Sequence, residues 1–192
     1  MSTPRLPPGE RRLQILQALA QMLEQPAGER VTTAALAARL QVSEAALYRH
    51  FASKAQMFDG LLGFIEQSLL GLVQQISDRE PDPRQQVAMV VTLVLQFAEK
   101  NPGMARVMAG DALVLEHERL RARMDLLFDK IESAIKQRLR EAEQPEPEAM
   151  ASLLSGFLMG RIQRYARSGF KRLPTEQLQA VLQHALSNQG KP

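Results

Sequence analysis

The 192-residue chain has no cysteine, and its three histidines are the first side chains to test for chemistry. His50, His117 and His184 are far apart, and none has a His, Asp or Glu at the helical spacing that makes a metal site. Glu116-His117-Glu118 puts its members on different faces of a helix and reads as surface. Without cysteine there is no disulfide, no thiolate metal site and no thiol nucleophile. No Ser-His-acid set and no phosphate-cradling glycine loop is readable, and carboxylates are matched by bases throughout. The expectation is a protein that is not an enzyme and takes no cofactor and no metal.

One short segment does concentrate side chains that suit a polyanion. Residues 32–54 read TTAALAARLQVSEAALYRHFASK. Thr32, Thr33, Tyr48, His50 and Lys54 are of the types that bind phosphate oxygens, which fixes register on a duplex. Ser43, Glu44, Ala45, Tyr48 and Arg49 lie at the start and along one side of a short helical stretch. They are the residues that would reach base edges, where sequence is read. An ordinary helical hairpin in a core would be Ala-rich too. It would not place a hydroxyl, an arginine, a histidine and a phenol on its exposed positions.

Two short helices must position this set. One is expected over about Thr33–Arg39, with Thr32 or Thr33 as its hydroxyl cap, and one over about Glu44–Arg49, capped by Ser43. Glu44 then sits in a first turn, where the helix dipole favours an anion. Leu40-Gln41-Val42 leaves room only for a tight turn, and Leu36, Leu40, Val42, Leu47 and Phe51 supply apolar contacts. Ala37 is small where two crossing helices approach most closely. This is the pattern of a helix-turn-helix, whose second helix enters the major groove.

The prolines punctuate the rest of the chain, and the segments between them carry helical periodicity. Leu13, Leu16, Leu19 and Leu23 form a first stripe, ended at Gln25-Pro26. A long helix is expected after Ser53, to about Ile76. The stretch from about Arg84 to Lys100 is apolar on most faces, which suits the centre of a core. A short helix follows Pro102-Gly103. A long amphipathic helix is expected from Asp111 to about Ala142, one from about Glu148 to Ser168, and a last one capped by Thr175 and running to about Asn188. No strand run is evident, so the fold class is all-α. The uncharged apolar stretch from Gln85 to Ala98 is too short to span a bilayer, so no membrane segment is expected. Residues 1–20 lack an apolar segment followed by a small-residue cleavage site, and the expected compartment is the cytoplasm.

Charge supports the division. The formal net charge is +3. Residues 1–57 hold seven bases (Arg5, Arg11, Arg12, Arg30, Arg39, Arg49, Lys54) against four acids (Glu10, Glu24, Glu29, Glu44). The remainder is neutral, so all the net charge lies in the first third. The expected organisation is a disordered arm over 1–8, a DNA-binding domain over 9–56 with its motif at 33–51, and a helical dimerisation and partner-binding body over 57–192.

The string SEAALYRHFASK, preceded by TTAALAARLQV, resembles the N-terminal domain of TetR-family regulators. Further on, FAEKNPGMARVMAGDALVLEHERLRARM, LFDKIESAIKQRLRE and RYARSGFKRLPTE are similar to the nucleoid occlusion branch of that family. The resemblance implies a homodimer held through the last two helices, about 148–168 and 175–188. It implies binding to palindromic double-stranded DNA sites on the nucleoid. It also implies that the DNA-bound form interacts with the division protein FtsZ and antagonises its assembly over the chromosome. The FtsZ surface, by the same resemblance, is the groove between the fourth and fifth helices. Its matching positions are Phe64 and Leu69 on one helix and Leu93, Phe97, Lys100 and Asn101 on the other, with Lys100 to pair with an acid. The apolar members of that set also suit a core, and Lys100 and Asn101 suit a helix end.

Three positions depart from the family pattern. Gln41 stands where glycine is usual, Ala52 where proline is common, and Leu72 where a basic residue would align. An alternative function within the family is a repressor released by a small apolar ligand. Phe64, Phe97, Met104, Met108, Phe128 and Phe157 would then line the pocket.

Overall fold

A computed structural model describes residues 8–25, 31–113 and 118–187. The structure is all-helical over these residues: α1 (Pro8–Leu23), α2 (Thr33–Arg39), α3 (Glu44–Tyr48), α4 (Lys54–Arg79), α5 (Pro83–Lys100), α6 (Pro102–Met108), a 3₁₀ turn (Asp111–Leu113), α7 (Glu118–Glu141), α8 (Pro147–Arg167) and α9 (Leu178–Leu186). None of the described helices is long and apolar enough to cross a membrane.

Most helix starts follow from local chemistry. Ser43 Oγ accepts from Ala46 N at 3.2 Å, Ser53 Oγ from Gln56 N at 3.2 Å and Asp82 Oδ1 from Arg84 N at 2.9 Å. Each side chain satisfies one of the orphan amides of a first turn. Pro83, Pro102 and Pro147 each occupy a first helical position, where the missing N–H has no ladder to break. The last helix differs from the sequence expectation. Thr175 does not cap it: its hydroxyl bonds the Glu99 carboxylate on α5, and α9 begins only after Gln177. The long helix expected from Asp111 is also shorter, with a 3₁₀ turn at 111–113 and α7 beginning at Glu118.

α5 is the axis of the body. Val87, Val90, Val91, Val94, Leu95 and Ala98 are fully buried, and the helix packs against α4, α6, α7, α8 and α9. Its all-round apolar surface thus finds a neighbour on each side. The head (α1–α3) buries Ile15, Leu19, Leu36, Leu47 and Phe51 against Phe58 of α4, in a core continuous with that of the body. α4 runs unbroken through residue 57, packing on α1 at one end and on α5 and α7 along its length. Head and body are therefore joined by a rigid rod rather than a linker.

Two further contacts lock the junction. Gly103 at the start of α6 lies so close to α1 that a Cβ there would sit 1.9 Å from the Ala20 carbonyl oxygen. Arg106, one turn on, donates to the carbonyls of Leu23 at 3.3 Å and Gln25 at 3.1 Å, the unpaired end of α1.

Arg123 crosses from α7 to α4, with Nη1 2.7 Å from Asp59 Oδ1 and Nη2 2.5 Å from Glu66 Oε2. The Glu66 hydrogen bond, with that of Asp59, holds its guanidinium above the ordinary arginine range despite the opposing effect of burial. Gly63 leaves the space that the guanidinium fills, since a Cβ there would stand 3.3 Å from Nη2. Arg161 on α8 donates to the carbonyls of Pro174 and Glu176, which ties α8 to the segment before α9.

Candidate nucleic-acid interface

α2 and α3 meet through a tight turn whose hydrogen bonds close it from both sides. Val42 N donates to Ala37 O at 3.0 Å and Gln41 N to Ala38 O at 3.1 Å. Gln41 has φ 54°, the left-handed conformation that glycine adopts without a steric penalty. Beneath the turn, Leu36, Ala37, Leu47 and Phe51 are buried, so α3 has one face fixed inward and the other fixed outward.

The outward face carries the predicted set. Ser43, Glu44, Ala45, Tyr48 and Arg49 are all exposed, and Thr32 beside them is exposed too. Thr33, His50 and Lys54 are half-buried at the edges. Thr32, not Thr33, is the α2 cap: its Oγ1 accepts from Ala35 N at 3.1 Å. Thr33 is thereby free for another task, and its hydroxyl donates to Glu44 Oε2 at 2.6 Å, while Tyr48 OH donates to Thr33 Oγ1 at 3.4 Å. This Thr33–Glu44–Tyr48 chain fixes the first turn of α3 against α2. The second carboxylate oxygen of Glu44 makes no hydrogen bond among the described residues. Arg49 makes no hydrogen bond or ion pair among the described residues.

Two neighbours add to the site. Arg12 of α1 stacks its guanidinium 4.1 Å from the centre of the Phe51 ring and donates to the His50 carbonyl just past α3. This contact steadies the C-terminal end of α3 and puts a cation beside it. Lys54 lies 5.7 Å from the Phe58 ring centre at the start of α4. The sequence gives no signal for the Arg12 contact, because its partners lie 38 residues away. Residues 1–7, including Arg5, and the segment 26–30, including Arg30, lie outside the described residues, as do Glu116 and His117.

The chain matches two family models, "Bacterial regulatory proteins, tetR family" over residues 15–61 and "Tetracyclin repressor-like, C-terminal domain" over residues 83–191. It is 52% identical over 180 residues to the nucleoid occlusion factor SlmA of Idiomarina loihiensis, covering 90% of this chain and 92% of that protein. It is 55% identical to SlmA of Shewanella amazonensis, covering 86% and 88%. The chain belongs to the SlmA group of the TetR family. Solved structures share the fold at much lower identity. FadR of Bacillus subtilis, solved with stearoyl-CoA, aligns with a TM-score of 0.72 at 12% identity over 93% of this chain and 99% of that one. PfmR of Thermus thermophilus aligns with a TM-score of 0.73 at 17% identity over both full chains. The helix-turn-helix of this SlmA-group protein is thus the DNA-binding head of a TetR-type regulator.

The second predicted set divides. Leu69 is fully buried and cannot meet a partner: it packs the core under α4. Phe64 is 40% exposed on α4, while Leu93 and Phe97 are half-buried on α5. Asn101 is a capping residue, its Nδ2 donating to Phe97 O at 2.8 Å. Lys100 is exposed at the end of α5. Between α4 and α5 lies a groove of about 480 Å³ floored by Leu72, Ile76, Met89 and Leu93. Of the six predicted residues only Leu93 lines it. The residues named for a ligand pocket do not gather either. Met108 and Phe128 share a separate depression of about 320 Å³ beside α7, and Phe64 is on the surface.

Proposed function

We propose that this protein is a homodimeric nucleoid occlusion factor: it binds palindromic chromosomal DNA through α3 and, when bound there, engages FtsZ and opposes its assembly over the nucleoid. The observation that carries the DNA half is the division of α3 between a buried Leu47 and an exposed Tyr48-Arg49 pair next to Ser43 and Ala45. Arg49 suits a guanine edge and the free oxygen of Glu44 a cytosine amine. Tyr48, Thr32, His50 and Lys54 suit phosphates. The name of the relatives, at more than half identity over most of the chain, supports the occlusion half.

Dimerisation is supported by α8 and α9. Leu153 is 62% exposed and Met159 is exposed too, an unusual cost for a lone subunit. Gly156 and Gly160, one turn apart on that side, have open space where a Cβ would point, which lets a partner helix approach closely. A groove of about 720 Å³ between α8 and α9, lined by Met150, Leu153, Val181 and Ala185, continues the same surface. Two heads in a dimer then read two half-sites about one helical turn apart. The working place of such a protein is the cytoplasmic nucleoid.

The test begins with genome-wide mapping of bound sites. Many sites scattered away from the replication terminus are expected, whereas one or two beside its own promoter would favour a ligand-released repressor. On a mapped site, Arg49→Ala removes one base-reading side chain from each half-site. At about 1–3 kcal/mol per bidentate contact, the dimer loses roughly 2–6 kcal/mol, about thirtyfold to more than ten-thousandfold in affinity. Sedimentation should still show a dimer; retention of tight specific binding would end the assignment of α3. Pelleting of FtsZ polymers with protein and site DNA, against protein with scrambled DNA, tests the partner.

A further inference from the structure

We propose that the C-terminal end of α8 and the loop after it form a second DNA-facing surface, on the body rather than the head. Arg164, Arg167, Lys171 and Arg172 of both subunits draw the phosphates of the duplex between the two half-sites. The inference rests on the dimer and the DNA-binding head described above, and it adds a contact that neither of them requires.

The neutrality of the body is a cancellation. Residues 58–148 hold eleven bases against sixteen acids, whereas residues 149–192 hold six bases against one acid, Glu176. Four of those six bases are exposed at one place, Arg164 and Arg167 in the last turns of α8 and Lys171 and Arg172 just after it. None of the four side chains makes a hydrogen bond or ion pair among the described residues. Arg161, just before them, is held below the ordinary arginine range by burial and then by the charge of Arg164. The cations of this end therefore crowd one another and have no counter-charge at hand.

The loop that carries them is fixed. The Ser168 hydroxyl donates to Tyr165 O at 2.9 Å and accepts from Lys171 N at 3.1 Å and Arg172 N at 2.9 Å. Phe170 donates its N–H to Tyr165 O at 3.0 Å, and its ring stands edge-on to the Tyr165 ring with centroids 5.2 Å apart. A backbone set in this way has little ordering left to lose when an anion arrives.

Position selects the polyanion. α8 starts beside the far end of α7, where Arg140 pairs with Glu148, and runs back towards the head. At its end Tyr165 OH donates to the Glu99 carbonyl at 3.1 Å, in the last turn of α5 and directly before α6, which packs on α1. The basic end of α8 thus lies on the head side of the body. It also continues the face proposed for dimerisation, since Gly156, Gly160 and Arg164 follow at four-residue steps. The α8 and α9 of a second copy bring no acid to these bases beyond Glu176, so the dimer does not neutralise them. The bases of both subunits gather instead near the two-fold axis, which passes through the middle of a palindromic site. The anions facing them there are phosphates. Charges act on these across about a Debye length, about 10 Å at 0.1 M salt, without a direct hydrogen bond.

The experiment is fluorescence anisotropy of the full-length protein on a labelled duplex carrying a mapped site, at salt from about 50 to about 200 mM. The double variant Lys171→Gln/Arg172→Gln removes two charges from each subunit. The slope of log affinity against log salt should become shallower by about 2 to 4, and affinity at the low-salt end should fall about tenfold. Phosphates carry no sequence, so affinity for scrambled DNA should fall by the same factor; damage to the head would instead lower the ratio of specific to scrambled binding. Lys171→Arg/Arg172→Lys, which keeps both charges, should bind as the wild type does. Neutral methylphosphonates in place of the central phosphates should weaken the wild type and leave the Gln variant almost unchanged. Melting temperature and sedimentation of both variants should match the wild type. An unchanged salt slope, or equal losses from central methylphosphonates in wild type and Gln variant, overturns the proposal. Loss of binding to phosphatidylglycerol vesicles with unchanged DNA binding also overturns it and assigns the patch to an anionic membrane. A wild type that does not bind its site overturns the head assignment, and a monomer in sedimentation overturns the dimer, each taking this inference with it.

Discussion

The DNA-binding head and the α4–α5 groove are built at different ranges. The head concentrates its chemistry within 23 residues, on two short helices whose caps, turn and buried faces are all set by near neighbours in sequence. The groove draws on α4, α5 and, through Gln179, α9, so its lining comes from residues as far apart as Leu72 and Gln179. A surface made from local structure keeps its shape if its own helices form. A surface made between helices keeps its shape only if the body is packed. The head is also small, with few buried side chains of its own, so its orientation depends on the junctions that the body supplies.

The strongest way to break this comparison is at the closest junction. Gly103→Ala places a methyl group 1.9 Å from the Ala20 carbonyl oxygen, a contact with backbone that no side-chain rotation relieves. α6 and α1 must separate, and Arg106 then loses its grip on the Leu23 and Gln25 carbonyls. A loss of about 3 kcal/mol or more is expected, at the high end for a single substitution. Urea unfolding measures it. If the head depends on its junctions, DNA affinity should fall although no DNA-facing residue has changed. Wild-type stability in this variant would show that α1 and α6 are not in contact as described.

A smaller effect is expected at the second junction. Arg123→Met keeps much of the length and apolar stem of the side chain but leaves Asp59 and Glu66 facing each other on α4 without their cation. Partly exposed hydrogen bonds to charged groups of this kind contribute roughly 1–2 kcal/mol after solvent screening. The loss should shrink in high salt, and Arg123→Met with Glu66→Gln should recover part of it. Because α7 and α4 both border the body, FtsZ binding should weaken more than DNA binding. The reverse order would mean that the Arg123 bridge serves the head.

These two junctions also mark where the sequence stopped being readable. The α2 and α3 helices, the Ser43 and Ser53 caps, the left-handed Gln41 and the central position of α5 follow from patterns a few residues long. The pairing of Arg123 with Asp59 and Glu66 does not, since 57 to 64 residues separate the partners and many other acids were available. By spacing alone Arg123 is indistinguishable from the other bases of α7. Gly103 read as a helix start after Pro102, with nothing to announce the Ala20 backbone beneath it. The same limit applied to Leu69, whose apolar character fits a groove or a core equally well until the neighbouring helices are placed. In the head, the contacts that escaped reach outside the motif to α1: Arg12 on Phe51, and Arg39 donating to Gln21.

The smallest predicted effect sharpens the comparison from the opposite side, by improving a local element. Gln41 holds φ 54° in the turn between α2 and α3. A left-handed conformation costs an L-residue roughly 1–2 kcal/mol relative to its preferred regions, and glycine does not have that cost. Glycine in turn has more freedom to lose from the unfolded chain, which offsets part of the gain. Gln41→Gly should therefore stabilise the protein by about 0.5–1 kcal/mol. Gln41 is exposed and its side chain makes no hydrogen bond among the described residues, so little is lost with it. The gain should appear as a higher urea midpoint with an unchanged slope. Because the turn sets the angle between α2 and α3 but touches nothing in the body, DNA affinity should stay level or rise slightly and FtsZ binding should not change. A destabilised Gln41→Gly variant would mean that the side chain, and not the backbone angle, is what the turn requires at this position.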